Sequence, residues 1–291
     1  MALTKLIATD LDGTLLYPWH PFSVVGHKNA KFARRFVADG GHLCLVTSRG
    51  LEFSHKVARF LHEPLNAICY SGALIYRDGQ PIYEAFLAPG IARAILDDVR
   101  GKCHVAILYS KDRNMVYNRK HANPWTNFCY HGYSFFLGPQ REHYSSSPKI
   151  YEEELAKDRI YKLMIIVGFS KKKRQNIQNL VASLREKYPE VEIGWNGPAV
   201  EVAPKGAQKA AALSFYLDYT KIGRDNVLVV GDDGNDVPLF AAYPENSYCM
   251  AHSTEEVRNH AAHIIRRFFD LEHVVYPLEE KHPKERKKVT K

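Results

Sequence analysis

Apolar runs of strand length alternate with stretches of helical spacing over the first 75 residues. Residues 5–9 form an apolar run that stops at Asp10 and Asp12, and its length predicts a buried strand. Residues 26–39 place Ala30, Ala33, Phe36 and Val37 at helical spacing and end on Gly40-Gly41, a helix stop. A second apolar strand over 42–46 closes on Thr47-Ser48-Arg49. Helical spacing returns over 54–61, and a third short strand over 67–70 ends at Ser71-Gly72. This alternation predicts a parallel, doubly wound (Rossmann-like) α/β sheet. Ligands bind such sheets at the carboxyl ends of strands, where the polar residues after 9, 46 and 70 fall.

The pattern then changes. Turn signals at Asp78-Gly79 and Pro89-Gly90, strand-like runs at 105–109, 161–167 and 191–195, and a helix over 172–187 predict an inserted α/β domain. Residues 118–147, rich in His, Tyr, Phe, Pro and Ser, have no firm period and read as loops or short elements. Core alternation returns near Val200 with an Ala-rich helix over 206–217 and a strongly apolar strand over 226–230. That strand ends at Gly231-Asp232-Asp233-Gly234-Asn235-Asp236, and a helix over 254–262 and a strand over 263–265 follow. The expected division is a discontinuous core of residues 1–76 and 200–278, an insert of 77–199, and a tail of 279–291.

Composition fits a globular protein, with 45% hydrophobic and 12% aromatic residues, and excludes a disordered chain. The formal charge of +8 suggests a nucleic-acid partner until it is located. Residues 281–291 hold six Lys/Arg against one Glu, so +5 of it lies in this short segment. The tail reads as a solvated end, and no nucleic-acid partner is expected. The five cysteines (Cys44, Cys69, Cys103, Cys129 and Cys249) are scattered and odd in number, with no Cys-x-x-Cys pair. Reduced thiols in the cytoplasm are expected, with no zinc site. With neither a signal-peptide pattern nor a run long enough to span a bilayer, no membrane partner is expected.

The chemistry lies at the strand ends. Asp10 and Asp12 share a tight turn whose Gly13-Thr14 lets backbone N–H groups approach a phosphate. A carboxylate there can attack phosphorus, and a second one two residues on can protonate the leaving oxygen and then activate water. An Asx turn with capping carboxylates is the plain alternative. The second cluster, Gly231-Asp232-x-x-Asn235-Asp236, weakens it, since carboxylates on two strand ends can hold a hard cation such as Mg²⁺. Thr47 and the backbone N–H of Ser48 can bind a phosphate oxygen, although a strand-end Thr is often only a helix cap. Lys209 can neutralise developing charge. A surface role is its alternative, and Lys205 competes with it.

Together, Asp-Leu-Asp-Gly-Thr (10–14), Val-Thr-Ser-Arg (46–49), Pro-Lys-Gly-Ala-Gln-Lys (204–209) and Gly-Asp-Asp-Gly-Asn-Asp (231–236) resemble the haloacid dehalogenase superfamily. The insert after the third strand resembles the large α/β cap of its Cof-type phosphatases. The resemblance implies a Mg²⁺-dependent phosphomonoester hydrolase with Asp10 as nucleophile and metal ligand. It implies Asp12 as general acid/base, lending its carbonyl to the metal. Thr47, Ser48, Lys209 and Asn235 would bind the phosphoryl group, with Asp232 and Asp236 at the metal. Three positions depart from the family pattern: Ser48 replaces a Gly, Ser71 an Asn, and Ala251-His252-Ser253 a Gly-Asn-Ala segment. His252 reads as a packing or loop residue, and so, for the most part, do Arg119, Lys120, His121, Trp125 and Tyr130 in the insert.

The expected substrates are small phosphorylated metabolites, either sugar phosphates or phosphorylated cofactors. Two other readings stay open. One is a sugar phosphomutase of the same superfamily, the other a non-catalytic nucleic-acid-binding protein that uses the basic tail. Oligomeric state is not legible.

Overall fold

A computed structural model describes residues 5–20, 22–124, 138–168, 171–196 and 199–277. The basic tail lies outside them. Two sheets organise the chain. The first contains β1 (Leu6–Thr9), β2 (His42–Val46), β3 (Asn66–Cys69), β4 (Leu74–Arg77) and β5 (Gln80–Glu84). It also takes the late strands β12 (Val227–Gly231), β13 (Ser247–Met250) and β14 (His263–Ile265). Their spatial order is β14-β13-β12-β1-β2-β3-β4-β5, parallel from β14 to β3, with β4 antiparallel to both β3 and β5.

Strand β1 is buried along its length because both sheet faces are covered, which is why it reads as a continuous apolar run. Ile7 packs in one cluster with Phe32 and Phe36 of α1 (His27–Ala38) and Phe53 and Val57 of α2 (Leu51–Leu61). Leu6 and Ala8 pack on the other face with Leu213 and Leu217 from a later helix (Lys209–Thr220). Burying each of these Leu, Ile, Val and Phe side chains contributes about 1.5–3 kcal/mol. The chain leaves β1 toward β2 and β3 on one side and returns through β12, β13 and β14 on the other. The carboxyl ends of β1 and β12 therefore meet where the winding reverses, where a site is expected in such sheets.

The second sheet has the order β10-β11-β9-β6-β7-β8, from β6 (Val105–Ser110), β7 (Asn114–Tyr117), β8 (Tyr144–Ser145), β9 (Ile160–Ile166), β10 (Val191–Asn196) and β11 (Ala199–Pro204). All its pairings are antiparallel except β7 with β8. Helices α3 (Ile91–Val99), α4 (Pro148–Ala156) and α5 (Lys171–Lys187) cover one face, where Ile95, Leu155 and Val181 pack with Leu163, Val200 and Val202. The other face turns to the first sheet, with Tyr109, Tyr117 and Tyr161 in the same cluster as Tyr70 and Leu74. Tyr161 stacks on Tyr70 at a centroid distance of 4.6 Å.

The expected α/β architecture with a second sheet in the insert is the one observed. Its crossings fall at other residues than the strand pattern suggests: β5 extends the first sheet to Glu84, and β11 keeps 199–204 in the second. The reason is that β4 and β5 are a short hairpin on the end of β3, and β11 pairs on both sides within the insert. Helices α3 and α4 were not predicted; both are only nine residues long. The helix expected over 254–262 is a single turn, Glu255–Arg258, capped by the Thr254 hydroxyl. Of the stretch read as loops, residues 125–137 lie outside the described residues, Trp125 and Tyr130 among them.

Candidate active site

The helix called α6 here (Lys209–Thr220) starts at Lys209, and its buried positions 209, 212, 213, 216 and 217 share one stripe. That stripe faces the first sheet, so the Lys209 ammonium enters the site from below the strand ends. It donates to Asp10 Oδ1 and to Asp236 Oδ1, each at 2.7 Å. Lys209 and Asp236 are fully enclosed, and Asp10 is nearly so. Burial works against the Lys209 charge, yet Asp10 and Asp236 hold its pKa well above the ordinary lysine value. Burial likewise pushes Asp10 well above the usual carboxylate range, with Lys209 pulling it back and Asp236, Asp232 and Asp12 adding to the rise.

Asp236 also ties the loop after β12 together. Its Oδ2 accepts the backbone N–H groups of Asp232 and Asp233 at 3.0 and 3.2 Å, while Asp233 caps Gly234 at 2.7 Å. Asp232 then points at the turn after β1, where Thr14 Oγ1 donates to its Oδ1 at 2.9 Å. Burial first, and Asp236 second, raise the pKa of Asp232 to about 7. The turn fits this carboxylate only because residue 13 is glycine. Its φ is +75°, and a Cβ there would lie 2.0 Å from Asp232 Oδ2.

Carboxylate oxygens of Asp10, Asp232 and Asp236 lie within 4.8 Å of one another. Burial, and after it the crowding of like charge, push Asp10 and Asp232 above the usual carboxylate range. An all-oxygen, carboxylate-rich set suits a hard divalent cation, and these residues fit one. Asp12, expected to offer the metal its carbonyl and to move a proton with its carboxylate, keeps that carboxylate out of the cluster. Its side chain turns away from the cluster to Arg49, whose Nε and a terminal nitrogen donate to Oδ2 and Oδ1 at 2.6 and 2.5 Å.

Thr47 is buried at the end of β2, and its hydroxyl accepts the backbone N–H of Arg49 at 3.0 Å. Ser48 Oγ lies 2.9 Å from Ser71 Oγ and accepts from Asn235 Nδ2 at 3.2 Å. The four polar strand ends named from the sequence are thus joined in one place. Lys205, the competitor of Lys209, donates to the Pro189 carbonyl on the surface. Arg119, Lys120 and His121 are exposed on the insert, and His121 meets Tyr151 edge-on, which accords with the plain reading of them.

Several neighbours were not named from the sequence. Lys162 and Glu201 of the second sheet pair at 2.9 Å, and Lys162 also donates to the Ser48 carbonyl at 3.3 Å. Their signal was legible, since each is a charge inside an apolar strand. Glu142 is enclosed beside Arg49 at 3.8 Å; it lies in a stretch without period, so no pattern marks it. His252, read as a packing residue, does stack on Tyr17 at 4.0 Å, but its Nε2 is also 3.6 Å from Asp232 Oδ2.

With this geometry in hand, comparison with known proteins defines the class. Residues 7–269 match the family model of the haloacid dehalogenase-like hydrolases, and the chain belongs to that family. A haloacid dehalogenase-like hydrolase from Bacillus subtilis superposes with a TM-score of 0.75 at 18% identity, over 94% of this chain and all of the other. Among sequence relatives, the phosphoglycolate phosphatase of Staphylothermus marinus is 24% identical over 89% of this chain and 90% of its own. The pyridoxal phosphate phosphatase YbhA of Escherichia coli is 25% identical over 82% and 85%. No helix among the described residues is long and apolar enough to cross a membrane.

Proposed function

We propose that the protein is a Mg²⁺-dependent phosphatase of small phosphorylated metabolites, sugar phosphates or phosphorylated cofactors, acting through an aspartyl-phosphate at Asp10. The observation that carries this reading is the meeting of Asp10, Asp232 and Asp236 with one buried cation, Lys209, at adjacent parallel strand ends. Phosphatases among the relatives support the activity. Asp10, Asp232 and Asp236 would hold the Mg²⁺, with the Asp12 carbonyl as a further ligand; when bound it neutralises phosphate charge.

The residues then divide the work. Asp10 attacks phosphorus, and the bond to the leaving oxygen breaks as Asp12 gives that oxygen a proton. Water next attacks the phosphoryl group, Asp12 takes its proton, and inorganic phosphate leaves with Asp10 restored. Lys209, Thr47, the Ser48 N–H and Asn235 bind the phosphoryl oxygens, where Lys209 offsets developing charge in a water-poor place. Residues 85–204 form the cap, which excludes water when closed.

The test is phosphate release from a panel of sugar phosphates, nucleotides, FMN and pyridoxal phosphate, with Mg²⁺ or EDTA, for wild type and Asp10→Asn. Release that requires both Mg²⁺ and Asp10 is expected. Isomerisation without release, in the presence of a bisphosphate activator, would identify a mutase instead.

A further inference from the structure

One cavity of about 700 Å³ is lined by Lys209, Asn235 and Ser71 of the core and by Glu201 of the second sheet. A phosphomonoester held at Lys209 would extend its leaving group along Glu201. On β11, Glu201 sits between Val200 and Val202, which are buried under the cap helices, so its side chain faces the first sheet. Oε1 takes Lys162 at 2.9 Å, and Oε2 accepts Ser71 Oγ at the long distance of 3.4 Å. Ser71 is in turn held by Ser48. The two serines that depart from the family pattern therefore pair with each other, and Ser71 steadies Glu201. A carboxylate offers about four acceptor positions. Two are used, and the side chain keeps 21% of its surface exposed, so it can accept from a ligand.

Charge in this cavity points the same way. Its wall carries Glu192, Glu201, Asp233 and Glu256 against Arg185 and Lys209. Lys209 is held by Asp10 and Asp236, whereas Arg185 donates to the Ile193 carbonyl and keeps its charge. Lys162 pairs with Glu201 and Arg49 with Asp12, so these pairs cancel, and Glu192, Asp233 and Glu256 outnumber Arg185 in the wall.

Resting on the phosphatase reading above, we infer that Glu201 reads the leaving group. It accepts hydrogen bonds from an uncharged, hydroxyl-bearing leaving group, while the surplus of Glu192, Asp233 and Glu256 over Arg185 in the wall disfavours one that carries a carboxylate or a second phosphate. Such a site gains specificity both by pairing the wanted hydroxyl and by placing like charge against the unwanted acid.

The experiment compares kcat/KM for glucose 6-phosphate and ribitol 5-phosphate with that for phosphoglycolate and fructose 1,6-bisphosphate, using p-nitrophenyl phosphate as the reference. Wild type should favour the better of the uncharged pair by about tenfold or more. Glu201→Gln should shrink that preference by about tenfold, raising KM for the hydroxylated substrate and lowering it for phosphoglycolate. Because Lys162 loses its charge partner in this variant, Glu201→Gln combined with Lys162→Met carries the comparison if the single variant fails to fold. A preference unchanged by both variants, or equal turnover of phosphoglycolate by wild type, overturns the role of Glu201 while p-nitrophenyl phosphate release upholds the phosphatase. No release from any compound overturns the phosphatase and this inference with it.

Discussion

Arg49 grips both carboxylate oxygens of Asp12 and, with its remaining nitrogen, donates to the Gln140 carbonyl at 3.0 Å. The group assigned to move the proton is thus fastened to a segment of the cap. Asp12 is more than half exposed, so the ion pair adds little to folding stability. Its effect falls on the orientation of the carboxylate and on the tie to the cap.

Arg49→Lys tests that role. Lysine keeps the charge and loses the two-pronged hold. Turnover should fall by about ten- to a hundredfold, with a melting midpoint within about 4 °C of wild type. Steady-state kinetics beside a thermal scan reads both, and an unaltered kcat removes the positioning role.

Asp10→Asn and Asp12→Asn separate chemistry from architecture. The first keeps the shape between Lys209 and the β1 turn and removes the nucleophile, so turnover should drop about a thousandfold or more. The second leaves a nucleophile without its acid, and a loss of about a hundredfold or more is expected. Circular dichroism should show both folded. Near-wild-type kinetics of Asp12→Asn would remove the acid/base assignment.

Much of this site could be read in the chain because its parts are local. Asp10 and Asp12 follow an apolar strand directly, and so do Thr47 and the cluster from Asp232 to Asp236; a strand's end fixes where the next side chains lie. What could not be read is how elements distant in sequence meet. The direction of the Asp12 side chain depends on an arginine 37 residues away, and the Ser71–Glu201 contact spans 130 residues. The limits of the second sheet escaped for the same reason. Sheet membership of β5 and β11 is decided by their partners, and their own apolar pattern suits either sheet.

Lys209→Met should damage stability as well as rate. The ammonium is the shared partner of two buried carboxylates, and its removal leaves Asp10 and Asp236 facing each other without it. Breaking a buried pair from one side costs about 3–5 kcal/mol. Urea denaturation should show a loss in that range at neutral pH, measured in EDTA so that no cation substitutes. A midpoint equal to that of wild type would mean the carboxylates are paired by other means.

Gly13→Ala links the turn to the cation. The left-handed φ of residue 13 disfavours any side chain, at about 1–3 kcal/mol. The added Cβ would also strike the Asp232 carboxylate, which must then move away from Asp10 and Asp236. In wild type, Mg²⁺ should raise the melting midpoint, since a ligand at a hundred times its Kd stabilises by about 2.7 kcal/mol. In Gly13→Ala both the starting midpoint and this increment should fall, whereas Asp232→Asn should lose the increment with the turn intact. A thermal-shift titration of the three proteins with Mg²⁺ distinguishes the two effects without reference to turnover. A full Mg²⁺ response in Asp232→Asn would place the cation elsewhere.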